Sequence, residues 1–318
     1  MSATRTIREA IAAADADLVA RQPWLGRVDA VALSLFLAAW VWMGAAAALW
    51  GFGGLPGWAT VPLIALGLSV LHELEHDLIH RLYFQGRRWL YHAVMAGIWL
   101  GKCSLDPWSR GRIHRWHHAV SGQEEDVEER LIGLGLPWGL RRMGLTVLPL
   151  LSAVVVPDIQ RAVRARKRAG GRAPDLSHPP WFWAVRAVNL LFTVLPLLAV
   201  GGWLAGLPGA DALLVLWVLP NLVRHASIVF LSSSSHYTGI PRGDLMVQNQ
   251  VLDHPVFWPA QLFCWNFGAT HILHHFVVGQ PFWRRTLVWP RVRPVLRAQG
   301  IRFNDLGTFG RANRWAAD

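Results

Sequence analysis

The chain has 318 residues, of which 53% are hydrophobic and only 16% charged, and it carries 19 tryptophans. A mean hydropathy of +0.28 with so little charge is unlike an ordinary soluble domain, and amphipathic indole rings favour the boundary between lipid and water. The net charge is +11, but the basic residues flank apolar stretches and form no patch interleaved with aromatics, which argues against nucleic acid and for membrane topology.

Residues 1–28 contain Arg5, Arg8, Glu9, Asp15 and Asp17 in an Ala-rich stretch with no apolar core. This is no signal peptide and is expected to be a short cytosolic helix. Four stretches then approach the roughly 20 apolar residues that a bilayer crossing takes. They run from about Asp29 to Trp50, from Leu55 through Leu71 into a set of histidines, from Trp181 to Leu204, and from Asp211 to Leu231. The turns at Gly51–Gly54 and Gly206–Gly209 carry no Lys or Arg, as expected of outside loops. Trp89–Leu100 is too short to cross, and Leu136–Val156 is interrupted by Arg141 and Arg142. The basic groups around Arg110, Arg112 and Arg115, and from Arg161 to Arg172, should both be cytosolic. Only an even number of crossings can join them, so 136–156 is expected to dip into the membrane or lie on it. The predicted fold is all-α and integral to the membrane, with four transmembrane helices, both termini inside and a cytosolic helical cap. A catalytic domain at 29–285 is expected between the N-terminal helix and a basic cytosolic segment at 286–318. Cys103 and Cys264 form no CxxC pair, which speaks against a disulfide framework or a thiolate metal site.

The 14 histidines are not scattered. His72, His76 and His80 follow one another at i, i+4 and i+8 where the second span ends, so a helix turns all three to roughly one side. His114, His117 and His118, and again His271, His274 and His275, have i, i+3, i+4 spacing. The predicted topology brings all three clusters to one face of the membrane. Imidazole suits Zn, Cu, Fe and Ni. Eight histidines are too many for one closed zinc site and enough for two ions. The absence of cysteine from the clusters argues against iron–sulfur.

The combination HxxxH, HxxHH and HxxHH in a four-span chain resembles the membrane fatty-acid desaturase and alkane hydroxylase superfamily, over about Asp29 to Arg285. The resemblance implies a di-iron centre at the cytosolic side, with O2 as co-substrate. By motif, His72 and His76 match the first box, His114, His117 and His118 the second, and His271, His274 and His275 the third. A further ligand is implied after the last span. His236, in the HYG-like Ser-His236-Tyr237-Thr-Gly239, is preferred to His225 of Asn221-Leu-Val-Arg-His225, which resembles the NxxxH element of acyl-CoA desaturases. His80, His225, Asn221 and Asp126 are further candidates as ligands or as groups that orient ligands. Glu73, Asp77, Asp244 and Asp253 could orient imidazoles in the same way.

The activity implied is O2-dependent oxidation of a fatty acyl or other aliphatic chain, as desaturation, with hydroxylation as the alternative. The substrate would be a lipid or hydrocarbon held between the spans. No Rossmann fingerprint, haem-binding extension or ferredoxin cysteine set is present, which implies a separate electron donor such as a ferredoxin or rubredoxin with its reductase. The expected location is a bacterial inner membrane with the active site facing the cytosol. Two other classes compete with this reading. His72-Glu73-Leu-Glu75-His76 also fits HExxH, the zinc hydrolase motif, but that leaves both HxxHH clusters unexplained. A transporter would need polar residues through the middle of several spans, whereas these spans read as apolar up to their cytosolic ends.

Overall fold

In a computed structural model the chain is described over residues 2–147, 160–161, 163–168, 170, 173 and 182–316. Among these residues it is all-helical, with isolated β-bridges but no strands. Four helices are long and apolar enough to cross a membrane: α2 (Val28–Gly51), α3 (Gly57–Ile79), α8 (Trp183–Leu204) and α9 (Ala210–Ser235). They agree with the four expected spans to within a few residues, except that α3 and α9 continue further into polar sequence.

The other helices gather at the histidine-bearing end of this bundle. In chain order they are α1 (Ala3–Arg21), α4 (Arg88–Lys102), α5 (Pro107–Val120), α6 (Val127–Leu131), α7 (Leu140–Val147), α10 (Leu245–Gln248), α11 (Trp258–Leu262), α12 (Phe267–Phe276) and α13 (Phe282–Ala298). Three of them start at a capping aspartate. Asp106 caps α5 by accepting from Ser109 N at 2.7 Å, with Pro107 in the first turn where no N–H is needed. Asp126 caps α6 and Asp244 caps α10 in the same manner.

The spans differ in what they touch. On α2 and α8 only 22% and 17% of the most apolar window is buried within the protein, against 56% on α3. Leu37, Val41, Leu190 and Leu198 are exposed, as expected of side chains facing lipid. Phe52 and Trp58 lie exposed near one end of the bundle and Trp89 and Trp183 near the other, the placement of an aromatic belt. Helix α3 runs through the centre, its Leu68, Leu71, Leu74 and Leu78 packing with Ala39 and Met43 of α2 and with Val94, Met95 and Ile98 of α4. A Cβ on Gly67 would stand 2.5 Å from Met43 Cγ, so α2 and α3 approach closely only because that residue is glycine. In α9 a π turn spans Leu214–Val218, just before Pro220. The wider turn makes room for the proline ring, which would otherwise press on the carbonyl one turn back and has no N–H to give it.

Helix α1 is not a free appendage. Ile7, Ile11 and Ala14 share a core with Val288, Val292 and Leu296 of α13 and with Ile272 and Leu273 of α12. Ion pairs from Asp15 to Arg284 and from Asp17 to Arg291 flank it. Helix α13 runs through residue 285 without a break. The described part of 136–156 ends in α7, whose fully buried Arg142 donates to Ser233 O at 2.8 Å and so ties α7 to the end of α9. The rest of that stretch, expected to dip into or lie on the membrane, falls outside the described residues.

Candidate metal centre

Four elements converge at one end of the bundle. The last turn of α3 supplies His76, and His80 caps it. Helix α5 supplies His114, His117 and His118, and α12 supplies His271, His274 and His275. His236 caps α9, with extended backbone that bridges Asn249. The i, i+3, i+4 spacing splits each HxxHH motif between two groups. His76, His80, His114, His118 and His274 form one, and His117, His236, His271 and His275 form the other; within each, the ligand atoms lie within 4.8 Å of one another. The groups adjoin, since the rings of His118 and His275 are 4.8 Å apart and those of His117 and His118 5.4 Å.

The outer ring nitrogens set the tautomers. His117 Nδ1 meets Asp126 Oδ2 at 2.7 Å, His114 Nδ1 meets Glu128 Oε2 at 2.8 Å, and His236 Nδ1 meets Ser232 O at 2.7 Å. Carboxylates and carbonyls only accept, so these three rings carry a proton on Nδ1 and turn Nε2 inward. His275 Nδ1 lies 3.1 Å from Gln248 Oε1, which does the same for that ring. His274 differs: Arg285 Nη1 lies 2.7 Å from its Nδ1 and can only donate.

Inward-facing nitrogens then crowd one another. His274 Nε2 is 2.9 Å from His118 Nε2 and 3.1 Å from His80 Nε2, and His271 Nε2 is 3.0 Å from His275 Nε2 and 3.3 Å from His236 Nε2. His76 Nε2, buried among them, has no partner; its Nδ1 lies 3.5 Å from Asp77 Oδ1 but off the line of a hydrogen bond. Lone pairs at such separations repel unless a proton or cation lies between them. Metal–imidazole bonds of about 2.1 Å place neighbouring donors about 3 Å apart, so the donor set fits two metal ions, one per group.

Below the groups lies a cavity of about 1230 Å³, lined near the centre by His76, His114, His117, His236 and His271 and further off by Phe192, Leu197, Val200 and Leu214. The sequence profile described as fatty acid desaturase matches residues 53–307, most of the chain. The chain belongs to the fatty acid desaturase family. No curated protein matches it. Family membership makes it an oxidoreductase, and the four apolar helices make it a membrane protein.

In this desaturase-family site the structure brings together His76, His114, His117, His118, His236, His271, His274 and His275, and adds His80. His72 joins neither group. It sits one turn deeper on α3, with Nδ1 3.4 Å from Arg224 Nη1, so the HxxxH pair at the site is His76 and His80 instead of His72 and His76. The HExxH arrangement is therefore not assembled, and Glu73 faces Arg285 at 3.6 Å. His225 also stands apart and belongs to neither group. Asn221 donates to Gly101 O and Trp217 O at 3.0 and 3.1 Å, clamping α9 to α4. Of the carboxylates, Asp126 holds His117, and Asp77 reaches the site through Arg285 at 3.2 Å. Asp244 caps α10, and Asp253 pairs with Arg293 at 2.6 Å. Sequence reasoning missed Glu128, Gln248, Ser232 and Arg285.

Burial shapes the charge of the site in the absence of metal. It lowers the pKa of His114, His118, His271, His274 and His275 well below the usual value, His236 to about 4 and His80 to about 3. His117 goes the other way. Burial opposes its charge, but the Asp126 carboxylate prevails and raises it to about 10. Neutral imidazoles are the form that binds a metal.

Proposed function

We propose that the two histidine groups each hold an iron ion and that the centre oxidises an aliphatic chain with O2, most simply by desaturating a fatty acyl chain. The observation that carries this is the pair of adjacent imidazole groups opening onto a large, mostly apolar cavity. Bound iron would supply O2 activation and the oxidising power needed to break an unactivated C–H bond. The chain's own residues do the rest. Asp126, Glu128, Gln248 and the Ser232 carbonyl hold the outer nitrogens and aim the inner ones. Phe192, Leu197 and Val200 line a dry passage for hydrocarbon. The HYG-like element also keeps hydroxylation of the same chain as a second reading, since its His236 sits within the four-histidine group.

Electrons come from a separate donor, a ferredoxin or rubredoxin with its reductase. An acidic protein of that kind would find complementary charge on a chain with a net +11. The active site and both termini face the cytosol of a bacterial inner membrane, the side to which the basic segments assign them. Two measurements test the proposal. Purified protein should contain two irons per chain. Lipid profiling after expression with a reductase should find products lacking two hydrogens, or carrying one added oxygen for the second reading. Iron-free protein that remains active without O2 would overturn both.

A further inference from the structure

The metal centre leaves one buried group without a role. Arg224 lies within the membrane-spanning helix α9 and is only 4% exposed. Among the described residues it pairs with no carboxylate. Its Nε has no partner, and its one polar contact is the long one to His72 Nδ1 at 3.4 Å. Nearby, Glu75 is shared by two cations, Lys102 Nζ at 2.5 Å and Arg110 Nη1 at 2.6 Å. Arginine keeps its charge in proteins, so Arg110 and Arg224 alone outnumber Glu75. Asp106, also at the cavity, is already engaged by Ser109 N at 2.7 Å and Asn189 Nδ2 at 3.0 Å. Arg224, Arg110 and Lys102 all line the same cavity as the histidines.

A buried, unpaired guanidinium is costly, and an ionisable group within a span marks a functional site. A purely hydrocarbon substrate would leave it unpaired. We propose that the cavity takes an amphiphile whose carboxylate or phosphate is clamped by Arg224, with Arg110 and Lys102 adding to the positive field, while its hydrocarbon lies along Phe192, Leu197 and Leu214. The planar guanidinium fork suits either anion. The anion then sits at the level of His72, four residues or about 6 Å along α3 from His76, so the carbon presented to the histidines lies near the polar end of the substrate. The position of the reacting carbon rests on the function proposed above; the anion site itself does not.

The test is competition for bound radiolabelled palmitate on the purified full-length protein in a neutral detergent. The competitors are palmitate, hexadecyl phosphate, methyl palmitate, hexadecanol and inorganic phosphate. At least one of the two anionic amphiphiles should displace the label at concentrations at least tenfold below the neutral ones, and Arg224→Met should erase that preference. Equal competition by charged and neutral chains, or an undiminished preference in Arg224→Met, would overturn the proposal. Inorganic phosphate should not displace the label where hexadecyl phosphate does; if it matches the amphiphile, the chain-bearing ligand is wrong. Should Arg224→Met not fold, Arg224→Lys decides: anion binding should weaken at least threefold with methyl palmitate unaffected, and unchanged anion binding counts against the site. Binding needs no turnover, so inactive protein that keeps the preference sinks only the oxidase reading, and active protein without it sinks only the anion site.

Discussion

The two histidine groups share α5 and α12 but are braced in different ways. In the four-histidine group, His117, His236 and His275 each have an acceptor behind the outer nitrogen. In the five-histidine group, among the described residues, only His114 has a hydrogen-bonded carboxylate there, His274 faces the Arg285 guanidinium, and buried His76 has no hydrogen-bond partner. The first group is organised before any metal arrives, while the second leaves a ring free and a donor where the others have an acceptor. Of the two, the five-histidine group should hold its ion more loosely, so a chelator should remove iron in two phases. Release in one phase would break the comparison.

The largest effect should come from the ligands. His117→Ala and His274→Ala, one from each group, are expected to lose iron and activity together, whereas His72→Ala should keep the wild-type iron content. Metal analysis of the purified variants decides it: full iron in either of the first two, or loss of iron in the third, contradicts the assignment. Next is Arg285. Breaking a buried ion pair by removing one partner costs about 3–5 kcal/mol, and Arg285→Met would take the cation away from Asp77 and Glu73, both buried beside α13, leaving Asp77 only its bonds from Tyr83 and Phe282 N. Its iron-free form should unfold at a clearly lower temperature than wild type. An unchanged midpoint would mean that Arg285 does not hold these carboxylates.

How much of this was legible beforehand depends on the range of the interaction. The four spans follow from apolar length, and the HxxHH clusters from helical spacing, both local properties. Choosing two of His72, His76 and His80 was not local. All three lie on one side of α3, and only the height at which α5 and α12 dock selects the lower pair of turns. Glu128, Gln248 and Arg285 reach their histidines from 14, 27 and 11 residues away, and no spacing rule links them. Arg224 is a different kind of omission. Arg224 stands in a span that apolar length alone defines, and length carries no sign of what a single arginine within it faces.

The bracing itself can be graded. Groups that orient a metal ligand typically change metal affinity about 10–100-fold when removed. Asp126→Asn should fall within that range and Gln248→Leu at its lower end, because a charged acceptor holds an imidazole N–H more strongly than an amide oxygen. Metal-competition titrations measure both, and a larger effect at Gln248 would reverse the ranking.

The smallest effect is the dependence of stability on pH in the iron-free protein. His236 and His80 titrate near 4 and 3 when folded, against 6.5 ordinarily. Below pH 6.5 the unfolded chain takes up protons that these folded rings refuse, so stability falls as pH drops from about 6.5 towards 4. His117, raised to about 10, has the opposite sign. The stability it adds is fully present below 6.5 and fades as pH climbs through 10. Unfolding midpoints across pH should therefore decline on both sides of neutrality. The alkaline decline contains other groups as well, so the informative quantity is the difference between wild type and His117→Gln. The variant should lose part of the alkaline slope and keep most of the acid one, because burial, the chief cause that lowers His236 and His80, is unchanged in it. Identical alkaline slopes would show that Asp126 does not hold His117 in its charged form, and with that the stronger bracing of the four-histidine group would fail.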